Sequence, residues 1–147
     1  MTFLELQERI NGTKVEEWHQ HLNGQGWVKN TASVDDTAFI GSNAQVYSNA
    51  RVSGGAQVYG NAQVYGDAQV YGDAWDKSPL QICGTRHFLS AGSRSEIAIG
   101  CYVKPIAWWI EHYQSIGQHE GYTPSEIDEY GTYISLFALR YQPQLLK

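Results

Sequence analysis

The chain has 147 residues, is 42% hydrophobic and 13% aromatic, and carries a formal net charge of −5. That is one domain's worth of chain, and no apolar run approaches the ~18 residues a membrane span needs. An acidic chain with one local basic stretch excludes a duplex-DNA binder that works through a basic face. Residues 76–104 are that stretch: Lys77, Arg86, Arg94 and Lys104 outweigh Asp76 and Glu96, while every other segment is negative. Two cysteines, Cys83 and Cys101, and an N-terminus without a signal pattern point to a reducing cytosol.

Residues 1–26 read as an N-terminal helical cap of two short helices. Phe3, Leu6 and Ile10 share a face, and Asn11-Gly12 ends the first helix. Thr13 with Glu16 is a capping-box pattern for a second, which Asn23-Gly24 ends.

Residues 27–75 are organised by a six-residue period. Val28, Val34, Ile40, Val46, Val52, Val58, Val64 and Val70 occupy its first position. Ala32, Ala38, Ala44, Ala50, Ala56, Ala62, Ala68 and Ala74 occupy its fifth. A β-branched residue suits a strand, and the alanine four places later points to the same side. Between them sit pairs such as Ser48-Asn49, Gly60-Asn61 and Gly66-Asp67, which tolerate the positive φ of tight corners. Each hexad is therefore a short strand plus a corner, with large and small inward residues alternating. Outward positions carry Tyr47, Tyr59, Tyr65 and Tyr71, a set suited to self-association.

The spacing in VYGNAQ-VYGDAQ-VYGDAW resembles the hexapeptide-repeat family. That resemblance implies a β-solenoid, a left-handed parallel β-helix, with three hexads to each coil of 18 residues. It also implies a homotrimer, with Tyr47, Tyr59, Tyr65 and Tyr71 at the oligomer interface.

Residues 76–104 read as an irregular β continuation. Asp76 stands where an aliphatic residue is due, and Pro79 closes the ladder. Gly84-Thr85-Arg86-His87, with Arg94, is the best candidate site: a flexible glycine, a hydroxyl, two guanidinium groups and an imidazole. Arginine presents a planar fork suited to carboxylate or phosphate. The alternative is that Arg86 and Arg94 pair with acids of a neighbouring subunit. No metal site and no cofactor are expected.

Residues 105–147 read as C-terminal helices. Ile106, Trp109, Ile110 and Tyr113 share a face and Gly117 ends that helix. Thr123-Pro124-Ser125-Glu126 starts the next, and Ile127, Tyr130, Ile134, Ala138 and Tyr141 line one stripe. Trp108 and His112 fall on another face and are left for a partner.

The near-identical repeats resemble the small hexapeptide-repeat proteins of phage and prophage genomes. This implies an accessory protein in the cytoplasm of a bacterial host. It would bind without catalysis, blocking a host protein or sequestering a small anionic, nucleotide-like ligand, and so counter host defence. Thr85, Arg86, His87, Arg94, Trp108 and His112 would make those contacts. One alternative is a hexapeptide-type acyltransferase with His87 as base; another is a structural part of the virion.

Overall fold

In the computed structural model, which describes residues 1–147, the chain forms two compact units, Met1–Pro79 and Leu80–Lys147. The first opens with helix α1 (Phe3–Arg9). Its N-cap is Thr2, whose hydroxyl accepts the Glu5 amide at 3.2 Å. Leu6 on α1 is fully buried and packs against Trp18 and Trp27. The Trp27 indole donates to the Met1 carbonyl at 2.8 Å, which ties down the terminus.

The second expected N-terminal helix is replaced by a short 3₁₀ turn (Val15–Glu17) and strand β1 (Trp18–Gln20). The Thr13 hydroxyl bonds the Trp18 indole, so it does not cap a helix. Strand β1 pairs antiparallel with β2 (Trp27–Lys29).

From there the hexads give two-residue strands: β3 (Ser33–Val34), β4 (Phe39–Ile40), β5 (Gln45–Val46), β6 (Arg51–Val52), β7 (Gln57–Val58), β8 (Gln63–Val64), β9 (Gln69–Val70) and β10 (Ala74–Trp75). They pair in parallel within three small sheets, β2-β5-β8, β3-β6-β9 and β4-β7-β10. Val28 faces Val46, which faces Val64. The core takes the repeat's apolar positions: Ile40, Val46, Val58 and Val64 are fully buried, as are Ala38 through Ala68 at six-residue steps. Gln45 is fully buried too, and it accepts the Gln63 amide at 3.0 Å.

The ladder ends in a one-residue slip. Trp75, not Asp76, faces Val58, and Trp75 is 2% exposed while Asp76 lies at the surface. A single-residue shift exchanges inward and outward side chains. It buries an indole and leaves the carboxylate in water, avoiding the cost of an unpaired buried charge.

The expected fold class, a left-handed parallel β-solenoid with helical caps, is therefore corrected. Parallel pairing runs over only two residues at each step, in three separate small sheets, because each hexad gives four of its six positions to corners. An antiparallel strand opens the first sheet, and the sheet of the second unit is wholly antiparallel. The fold combines four small sheets, one mixed, two parallel and one antiparallel, with three α-helices.

The second unit is a meander, β11 (Gln81–Cys83), β12 (Phe88–Ser93), β13 (Glu96–Ile99) and β14 (Tyr102–Pro105), followed by helices α2 (Ile106–His119) and α3 (Pro124–Tyr141). Within residues 76–104 the β-strands are those of this sheet. Gly100 has φ +58° at the first corner position of the two-residue turn between β13 and β14, where a hairpin favours glycine. Gly117 does not end α2. It lies inside the helix, where a Cβ would stand 2.8 Å from Ile127 Cγ1, so its bareness lets α3 approach. Thr123 and Glu126 form the capping box at the start of α3. Tyr130, Ile134, Phe137 and Ala138 are the buried residues of α3.

Candidate functional site

The site begins at the loop between β11 and β12, residues 84–87. The Gly84 amide closes it on the His87 carbonyl at 3.1 Å. The hydroxyl of Tyr130, reaching up from α3, accepts the amides of Arg86 at 2.8 Å and His87 at 2.6 Å. Two successive amides converging on one oxygen make a nest of the kind that holds anions. Here the nest is filled by the chain's own hydroxyl.

The polar side chains of the loop also find partners within the second unit. Thr85 donates its hydroxyl to Glu129 at 2.6 Å and its amide to the same carboxylate at 3.0 Å. Those bonds, the hydroxyl's first, hold the Glu129 carboxyl below the usual carboxylate range. Arg86 donates Nη1 to the Gly121 carbonyl at 3.0 Å and lies 3.4 Å from Glu126. Its guanidinium also covers the Tyr122 ring at 4.5 Å. Arg86 therefore pairs with an acid of its own chain.

His87 leads into a pocket. Its Nδ1 bonds the Tyr122 hydroxyl, and the two rings lie within 9° of parallel. A Cβ on Gly100 would come 3.0 Å from the imidazole Cδ2, so the ring rests on that bare turn. Burial pushes the Tyr122 hydroxyl up to about 12.

Beyond His87 is a cavity of about 80 Å³. The sheet contributes Ile99, Gly100, Cys101 and Tyr102; α2 contributes Trp109, Tyr113, Ile116 and Gly117. Tyr122 follows α2, and Tyr130 and Ile134 come from α3. Glu120, at the C-cap of α2, stands at the rim and accepts the Tyr102 hydroxyl at 3.0 Å. That hydrogen bond raises the Tyr102 phenol above its ordinary value. Trp109 is fixed by its indole bond to the Ile97 carbonyl at 2.9 Å. The walls are mainly apolar and aromatic, with an imidazole and a carboxylate to orient a ligand, which is the usual make-up of a small-molecule site.

Thr85, Arg86 and His87 thus come together, but of these His87 alone lines the pocket. Arg94 is exposed in the turn at the far end of β12, where its charge acts on the Tyr141 hydroxyl. Trp108 stacks on His112 at 4.3 Å with Lys104 5.2 Å from its ring, as a separate cluster of the same unit. In the first unit, Tyr47 stacks on Tyr65 at 5.6 Å and packs on Trp18; Tyr71 is half-buried, and Tyr59 is 37% exposed. Sequence reasoning missed Tyr102, Glu120 and Tyr122 as neighbours. The available signal was the concentration of tyrosine and tryptophan after residue 100.

Comparison with protein-family models, with curated proteins and with solved structures found no match.

Proposed function

We propose that this chain is a non-catalytic accessory binding protein that engages a host component through the aromatic pocket of its second unit. The observation that carries this reading is the pocket itself: aromatic walls held by hydrogen bonds, buried at Trp109 and exposed at Tyr102, with His87 and Glu120 at its polar edge. A preformed site of this kind loses little freedom on binding. The partner of the His87 imidazole is a tyrosine hydroxyl, not a carboxylate, which favours a wall of a binding site over a general base oriented by an acid. The resemblance of the repeats to accessory phage proteins supports the host setting, and the exposed Tyr59 supports self-association as a homotrimer.

The test is a screen of small organic compounds followed by nuclear magnetic resonance of the full chain. Binders are expected to shift the Trp109 indole and the Gly100 and Cys101 amides, and to be recovered chemically unchanged. Binders that shift the first unit alone would overturn the reading. So would acyl transfer from a thioester that is lost in His87→Ala.

A further inference from the structure

Resting on that reading of the pocket, we infer that its ligand group is a small organic cation, an alkylammonium head group. The basic character of residues 76–104 suggests an anion, but none of its lysines or arginines is in the pocket lining. Its lining contains one carboxylate, Glu120, and neither lysine nor arginine. The nearby guanidinium, Arg86, is outside the lining; it bonds Gly121, pairs with Glu126 and lies over the Tyr122 ring. The loop amides that would hold an anion are turned to the Tyr130 hydroxyl.

Three features then favour a cation. First, Ile116, Gly117 and Glu120 place the C-terminal end of α2 at the pocket. That end carries the negative pole of the helix, which stabilises positive charge. Second, the rings meet at steep angles: Tyr102 against Trp109 at 87° and Tyr122 against Tyr130 at 69°. Together with Tyr113 these rings line the cavity, and aromatic rings are the groups that recognise quaternary ammonium ions. Third, Tyr102 steadies one oxygen of Glu120 through its 3.0 Å bond, leaving the other for the guest. The size agrees. A cavity of about 80 Å³, at roughly 10–15 Å³ for each water on this measure, admits a compact head group but not a whole nucleotide.

The head group can belong to a free metabolite or to a methylated lysine of a host protein. The test titrates the full chain with choline, with its neutral isostere 3,3-dimethylbutan-1-ol, with AMP and with a short trimethyllysine peptide. The Gly100 and Cys101 amides and the Trp109 indole are followed by nuclear magnetic resonance. Choline is expected to bind at least fivefold more tightly than the neutral alcohol. Glu120→Gln, at an exposed position, is expected to remove about that factor, the worth of one rim charge. A peptide that binds more tightly than choline assigns the head group to a protein; the reverse assigns it to a metabolite. Equal binding of choline and the alcohol would overturn the cation and leave the pocket as the site. Tighter binding of AMP there would do the same. Silence towards choline, while other screened compounds bind there, would also overturn the cation alone.

Discussion

A Cβ added to Gly84 would lie 2.5 Å from the hydroxyl oxygen of Tyr130. The bare α-carbon is what allows that hydroxyl to enter the loop and take the two amides behind it. Gly84→Ala should therefore destabilise the second unit by about 1–3 kcal/mol, the usual cost of overfilling a packed site. A thermal melt checks this; an unchanged midpoint would mean that the loop does not depend on the close approach.

Tyr130→Phe keeps the ring and removes the acceptor. The amides of Arg86 and His87 are then left without their partner, at a cost of about 1–3 kcal/mol. Hydrogen exchange at those two amides should accelerate more than at the strand amides of β12 and β13.

Ala62→Leu tests the packing of the first unit. Ala62 is fully buried, and a larger side chain there should cost about 1–3 kcal/mol. Circular dichroism during a thermal melt reads the loss.

The acid limb of stability has a defined sign. Glu126 and Glu129 are both held below the usual carboxylate range, Glu126 first through the Thr123 amide and Glu129 first through the Thr85 hydroxyl. Carboxyls lowered in the folded state contribute stability above their unfolded value, about 4.3, and lose it as pH falls through the folded value. Stability attributable to these groups should thus be level near neutrality and fall below about pH 4.3. Glu129→Gln should make that fall shallower in a series of urea melts across pH.

Self-association is expected through the exposed Tyr59. Light scattering at micromolar concentration should give three times the 16.5 kDa protomer mass, and Tyr59→Glu should reduce it. A wild-type monomer would contradict the homotrimer.

How far these features are legible before folding depends on periodicity. Ile40, Val46 and Ala62 are buried as their spacing indicates, because a strict period fixes which side each residue faces. The class of fold does not follow from that period alone, since two-residue strands separated by corners make small sheets and the second unit is antiparallel. Arg86 is legible as a charged residue of the one basic stretch, yet its partner Glu126 is 40 residues away on a helix whose placement no local pattern gives. The same holds for the pocket. Tyr102 comes from the sheet, while Glu120 and Tyr122 come from the end of α2 and the loop after it, and bare Gly117 and Gly131 let α3 pack on α2. Gly117 also reads as a helix stop in isolation.

The most direct test of the pocket as the binding site uses the two free cysteines. Both are exposed; Cys101 lines the pocket and Cys83 does not. Alkylation of each is followed by peptide mass spectrometry, with and without a saturating amount of the tightest compound from the screen. Cys101 is expected to be slowed several-fold while Cys83 reacts at its original rate. Equal slowing of both, or of neither, would contradict the assignment.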